Sequence, residues 1–413
     1  MISKFNVTNF LSIRSTVTLN FVASNTESKY EKENVIKMKD GTRILKAATI
    51  YGKNATGKSN IVKAIAYFNK LVTEVPASAD SKLLRMPFAF DQATRNMTTE
   101  MSVEFYIRGI RYFMSIGFIN EYIIDEMLIA YLSNRPTCLY HRKYDPRQNK
   151  PEVTHSSKAG LTKNSWGIII SNTPNNCSIM AAFGKSIVEK CLLTDVYEYL
   201  SKSFAGVFTS VRSLSDYAKK ILASDTSGKA LEFLHDMFKH IKYDVDISFN
   251  KAANELIFGY NRNGYDLALP EEYESKGIIR FLGMSALLQS QLSSSTMVII
   301  DGLDNELHPY LRSFFFQSFL ENCRNASQFL FTTHSFYLLD RDFVRRDIVN
   351  IVDMGNDSST NLQRLSEMNA KKYRNLYNAY KAGKLISHPK LTKFEVDSKK
   401  YDFDIMNDNY EQW

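Results

Sequence analysis

The chain has 413 residues, 44% hydrophobic and 23% charged, with 52 basic side chains against 44 acidic ones and a formal charge of +8. Such a composition excludes a disordered polymer and suits one large core or two to three smaller ones. The basic excess permits contact with a polyanion without demanding it, and no run of about 18 apolar residues is present, so no membrane span is expected.

Residues 2–21, "ISKFNVTNFLSIRSTVTLNF", alternate apolar and polar over two stretches and predict two strands joined by a bend. The opening "MISKFNVTNF" lacks the apolar core of a secretory signal. Four scattered cysteines, Cys138, Cys177, Cys191 and Cys323, form no CxxC pair and read as core filler in a reducing compartment. A cytoplasmic protein without membrane contact is the expectation. After a polar surface loop, "ILKAATIY" predicts a buried strand running straight into "YGKNATGKSN".

Residues 52–59 match G-x-x-x-x-G-K-S, and each constrained position has a physical task. Gly52 and Gly57 let the backbone fold around an anion without Cβ clashes, so the N–H groups of Lys53, Asn54, Ala55 and Thr56 can point at phosphate oxygens. Lys58 supplies a charge for the β- and γ-phosphates, the Ser59 hydroxyl can ligate Mg²⁺, and Asn60 opens a helix whose N-terminus faces the same anion. That helix is announced by Ile61, Ile65, Phe68 and Val72 on one stripe. ATP–Mg²⁺ is therefore the expected ligand.

Residues 100–142 read as strands with a turn at Arg108–Gly109, and 143–164, with two prolines, as a loop or subdomain boundary. Residues 178–242 turn helical. In "YESKGIIRFLGMSALL", Ser275 and Gly277 open a helix, a second anion-binding end or a plain cap. "MVIID" is an apolar strand ending in Asp301, where a second Mg²⁺-associated carboxylate is needed. Pro309 suits the first turn of a helix carrying Leu311, Phe315 and Phe319 on one face, and "FLFTTH" brings His334 to the γ-phosphate from an adjacent strand. The final stretch is a polar, acidic tail.

These motifs in this order resemble the ABC-type ATPase heads of the RecF/SMC/OLD group. More closely, they resemble the bacterial AAA-family ATPases of abortive-infection and anti-phage systems, the AbiLi and RloC-like relatives. The resemblance rests on "NFLSIRSTVTLNFVAS", "YGKNATGKSNIVKAI", "ESKGIIRFL", "IIDGLDNELHPYL", "FTTHS" and "LYNAYKAGKLISHP". It implies an α/β P-loop NTPase, an ABC-type head with a mixed β-sheet and an inserted helical lid or arm subdomain. The implied division is an N-terminal half-head at 1–155, the helical insertion at 156–242, a C-terminal half-head at 243–390 and the tail at 391–413.

It further implies a head-to-tail homodimer or higher oligomer in which Ser275 and Gly277 of one copy reach the ATP held by the other. Asn305 would lie in the loop crossing the interface. Asp301 would hold Mg²⁺ with Ser59, and His334 would sense the γ-phosphate. His308 and Pro309 read as structural. One position departs from the pattern: Gly302 stands where such ATPases carry the water-orienting glutamate. Losing a general base costs about 10²–10⁴ in rate, so binding with slow turnover is expected. Glu306 is the carboxylate available to substitute, its plainer reading being a solvated or capping residue.

The leading expectation is a nucleotide-gated dimeric switch in anti-phage defence, acting on a separately encoded nuclease or toxin and triggered by DNA or a phage protein. His141, His155, His235, His240 and His388 do not cluster with acids, so no nuclease site of its own is visible. The alternative is a RecF-like DNA-repair ATPase with Arg142, Lys143, Arg147 and Lys150 on DNA phosphates.

Overall fold

The computed structural model describes residues 1–385 apart from 26, 28, 134, 187–189, 205 and 369–374. The end of the "LYNAYKAGKLISHP" segment, His388 and the 391–413 tail lie outside the described residues.

β1 (Ile2–Thr8) and β2 (Val17–Asn20) form the antiparallel pair that their alternation predicts. A short helix, α1 (Glu31–Asn34), precedes the hairpin of β3 (Val35–Lys37) and β4 (Arg43–Leu45). β5 (Ala47–Gly52) follows with every residue buried and leads into α2 (Lys58–Thr73), whose Ile61, Ile65, Phe68 and Val72 are all buried. Beyond α3 (Gln92–Asn96) come β6 (Thr99–Ile107), β7 (Ile110–Phe118), β8 (Ile123–Leu132), β9 (Arg135–Asp145) and β10 (Lys150–His155). With β1 and β2 they make a seven-stranded antiparallel sheet in the order β10-β9-β8-β7-β6-β1-β2. Arg108 and Gly109 close the β6–β7 hairpin with φ 49° and 83°, the left-handed pair that a two-residue turn requires.

The expected loop at 143–164 is corrected: its first half is the β9–β10 hairpin. Pro151 is tolerated because β10 is the edge strand, and Pro146 sits in the turn between them.

α4 (Lys163–Ser171), α5 (Ile179–Phe183) and α6 (Leu192–Glu198) lead to β11 (Gly206–Phe208), then α7 (Val211–Ser224) and α8 (Lys229–His240). The expectation of helix throughout 178–242 is corrected at β11, which pairs in parallel with a strand from the far end of the chain. β12 (Asp246–Asn250), β13 (Glu255–Arg262) and β14 (Tyr265–Pro270) form a separate three-stranded sheet. α9 (Lys276–Ser293), β15 (Met297–Ile300), α10 (Pro309–Asn322), β16 (Gln328–Thr333), β17 (Val349–Met354), β18 (Thr360–Arg364) and α11 (Leu376–Lys381) complete the chain. The second large sheet runs β11-β15-β16-β5-β17-β18, parallel except for β18.

β5, β15 and β16 are buried on both faces, as strands of a parallel sheet covered on each side must be. Met297 and Ile299 belong to one core, Val298 and Ile300 to the other. The first core packs α2 between the two large sheets, with Phe5 meeting Phe68 edge to face at 5.9 Å. The second packs α7–α10 on the opposite face, where Phe329 meets Phe315, Phe316 and Phe319.

Two buried charge clusters tie distant segments together. Glu126 on β8 accepts from Tyr140 Oη and Ser178 Oγ, both at 2.7 Å, and from the Ile179 N–H at the start of α5. Arg345 and Asp347, both fully buried, pair at 2.7 Å, and Arg345 also reaches Glu31 of α1. All four cysteines are free; Cys177 and Cys323 are buried as expected, but Cys138 is exposed and Cys191 half-buried, so core filling accounts for only two. No helix among the described residues is long and apolar enough to cross a membrane.

Candidate nucleotide site

The carboxyl ends of β5, β15 and β16 converge on one cavity of about 320 Å³, the end of a parallel sheet at which ligands characteristically bind. Asn54, Ala55, Gly57, Lys58, Ser59 and Asn60 line it from the turn after β5. Asp301, Gly302 and Asn305 line it from the turn after β15, and Thr332 and His334 from the end of β16. Residues from three separate parts of the sequence thus meet at one place.

The glycine-bearing turn is held in a shape suited to an anion. Ala55 and Gly57 have φ 62° and 102°. A Cβ on Gly57 would run into Thr360 and Ser12, and one on Gly52 would stand 2.7 Å from the Val352 carbonyl oxygen. Gly52, Lys53 and Thr56, expected among the ligand contacts, do not line the cavity. They shape it: Thr56 Oγ1 donates to the Lys53 carbonyl at 2.9 Å, and the carbonyls of Gly52 and Lys53 accept from Lys58 Nζ at 2.9 and 2.6 Å.

Lys58 Nζ also lies 3.3 Å from His334 Nδ1. A charged ammonium can only donate, so when Lys58 is charged Nδ1 is the acceptor in this contact. Burial pulls the Lys58 ammonium down to about 8, while the charges of Asp304 and Asp301 oppose that fall. The lysine is 6% exposed and already directed at the cavity.

Asp301 is tied to the neighbouring strand. Its Oδ1 accepts from Thr332 Oγ1 at 2.5 Å, and the same hydroxyl accepts from the Gly302 N–H at 2.8 Å. Asp301 and Ser59 line the same cavity, a two-oxygen set that fits Mg²⁺, which keeps its remaining positions for phosphate and water. Gly302 has φ 76°, and a Cβ there would collide with the Asn305 side chain. The Arg280 guanidinium, 1% exposed, donates to the Gly302 carbonyl at 2.6 Å, and burial lowers its pKa.

Ser275, Gly277 and Glu306 are not brought to this cavity. Glu306 lines a neighbouring cleft of about 1130 Å³ together with Glu274, Lys276, Arg280 and Asn305 among others, and Ser275 and Gly277 line neither space. Thr209 and Asn305 border both spaces. Ser275 caps α9, its hydroxyl accepting from the Ile278 N–H at 3.3 Å. Its own N–H donates to Glu274 Oε1 at 2.6 Å, and Tyr260 holds the other oxygen of that glutamate. A Cβ on Gly277 would stand 2.7 Å from the Glu306 carbonyl, so glycine is what lets the turn after β15 lie against α9. Glu306 has φ 58° and its carboxylate lies 3.9 Å from Lys276 Nζ. His308 and Pro309 cap and begin α10 as read from the sequence.

Several contributors escaped sequence reasoning. Thr209 follows β11, and "GVFTS" repeats in miniature the apolar-then-polar pattern of "MVIID" and "FLFTTH", a signal that could have found it. Ser12 and Thr360 clasp the turn after β5: Thr360 Oγ1 donates to the Thr56 carbonyl, and Asn60 Nδ2 to Ser12 Oγ. No local pattern marks either. Of the expected DNA-contacting run, Arg142 is removed. It is fully buried, donating to the carbonyls of Cys177 and Asn175 beside Glu126.

The family model described as "AAA domain, putative AbiEii toxin, Type IV TA system" matches residues 195–340, bearing out over that span the resemblance read from the sequence. Among solved structures, the chain is similar to the SMC head domain from Thermotoga maritima, with 13% identity over 88% of this chain and 98% of that one and a TM-score of 0.43. It is also similar to an Smc head domain with an extended coiled coil, bound to the C-terminal domain of ScpA, derived from Pyrococcus furiosus. There the identity is 12% over 89% of this chain and 97% of that one, with a TM-score of 0.41. Identities this low say nothing of activity or partners. No protein of curated function matches the sequence. The chain thus brings its G-x-x-x-x-G-K-S turn, Asp301 and His334 to one cavity.

Proposed function

We propose that the protein binds ATP with Mg²⁺, hydrolyses it slowly, and uses the nucleotide to close two copies head to tail as a switch in an abortive-infection system. The convergence of Lys58, Ser59, Asp301 and His334 on one cavity is the observation that supports this reading most. Lys58 takes the β- and γ-phosphates, replacing its present contacts to two carbonyls and to His334. His334 offers Nε2–H to the γ-phosphate. Ser59 and Asp301 hold Mg²⁺, which neutralises phosphate charge when bound.

In hydrolysis the water oxygen bonds to the γ-phosphorus as the P–O bond to ADP breaks, and the water's proton leaves with the phosphate. The missing glutamate at position 302 makes this step slow. Ser275 and Gly277 lie outside the cavity of their own chain, as residues that serve a second copy would. Asn305, at the border of both clefts, then crosses between copies. The match to an AAA domain described as a putative AbiEii toxin supports the abortive-infection setting, to which we add a separately encoded effector and a cytoplasmic location.

Sedimentation of the purified chain with and without ATP–Mg²⁺ tests the reading. Monomer is expected to become dimer with nucleotide, and Lys58→Ala to abolish both binding and dimerisation. A wild-type chain that binds no nucleotide would sink it.

A further inference from the structure

Asp304 is the titratable group of this site without a task so far. It lies three residues beyond Asp301 in the turn that Gly302 shapes. Its Oδ2 accepts from the His334 N–H at 3.1 Å, the peptide group that carries the imidazole facing Lys58. Its Oδ1 is buried without a hydrogen-bond partner among the described residues. A desolvated carboxylate oxygen costs free energy unless cations compensate it. The compensation comes from several directions, since the Asp304 charge acts on Lys58, on Arg280 and on Arg312. The buried Tyr51 hydroxyl feels the same charge.

Asp301 likewise has one oxygen committed, to Thr332, but it is already assigned to Mg²⁺. Glu306 faces Lys276 in the neighbouring cleft. Asp304 is thus the carboxylate joined directly to the switch-histidine segment while keeping an oxygen unspent.

We propose that Asp304 is the positioning carboxylate for turnover: it fixes the peptide of His334 beside Lys58 and supplies, from the next turn of chain, negative charge that Gly302 cannot. This rests on the ATPase reading above. Asp304 acts through His334 and Lys58 rather than by touching nucleotide, so its loss should lower the rate of the chemical step and leave ATP affinity largely intact. Misplacing a reacting group by about an ångström costs on the order of 10² in rate.

The test compares Asp304→Asn, Asp304→Ala and His334→Ala, singly and as Asp304→Asn/His334→Ala, in the full chain. Binding of a fluorescent ATP analogue is measured separately from single-turnover hydrolysis. Asparagine keeps an oxygen for the His334 N–H but removes the charge. The expected result is that Asp304→Asn loses about 10² in turnover with ATP affinity within about threefold of wild type. The double variant should be no slower than the slower single one, as residues acting as a unit behave.

The proposal is overturned if Asp304→Asn turns over like wild type while Asp304→Ala only loses thermal stability, which would make the carboxylate a loop tether. It is also overturned if the two losses multiply, or if wild type binds ATP yet never exceeds the Lys58→Ala background in hydrolysis. Failure of wild type to bind nucleotide at all would instead remove the ATPase reading itself.

Discussion

At the scale of single residues, the site is governed by one buried cation and the anions around it. Burial leaves Lys58 with a value of about 8, well under the roughly 10.4 of a free lysine. Only the charged form can hold phosphate, and in the nucleotide-free protein that form prevails below about pH 8. The groups around it are Asp301, Asp304, the Gly52 and Lys53 carbonyls and His334. ATP affinity should therefore be level below about pH 8 and fall above it, by at most about tenfold per pH unit, because each binding event must then take up a proton. Isothermal titration in two buffers of different ionisation heat would show that uptake above pH 8 and little below. Gly302 belongs to the same scale. Its φ of 76° is free for glycine but strained for any side chain, so restoring a glutamate there requires the Asn305 side chain and the turn to move.

Elements decide how these residues are presented. Gly277 is the contact point between α9 and the turn after β15, with a backbone oxygen where a methyl group would sit. Gly277→Ala should thus force the two apart, costing about 1–3 kcal/mol as overpacking does. The expected outcome is a lower melting temperature and loss of nucleotide-driven dimerisation, with ATP still bound by the turn after β5. Glu126 plays the corresponding part between the antiparallel sheet and α5, with its carboxylate satisfied by Tyr140, Ser178 and the helix N-terminus. Glu126→Ala leaves Arg142 buried without its anion, and urea unfolding should show a loss of about 3–5 kcal/mol. ATP affinity of the folded fraction should be unchanged, because the cluster lies in the other sheet. Local patterns announced most of these elements: the stripe on α2, the alternation in β1 and β2 and the turn at Arg108–Gly109 follow from nearest-neighbour chemistry. The β9–β10 hairpin was hidden because its prolines read as loop, and only the edge position of β10 makes Pro151 harmless.

For the whole molecule, nucleotide binding should appear as stability. A ligand bound only by the folded state at about 100 times its dissociation constant adds about 2.7 kcal/mol, so ATP–Mg²⁺ should raise the melting temperature of wild type and leave Lys58→Ala unmoved. The glycine-bearing turn, the aspartate strand and the histidine strand were each legible in the sequence, because each is a short run whose backbone and side-chain needs are local. Their meeting was not local. β5 joins β16, and through it β15, only because a parallel sheet pairs segments more than two hundred residues apart. The same long-range pairing inserted β11 and Thr209 beside them, brought Ser12 and Thr360 over the turn, and buried Arg142. What the amino-acid order determined alone was which chemical groups are available and the local shape of each turn. Which groups face one another was decided by tertiary packing, since distance in space is set by the sheet and not by the chain.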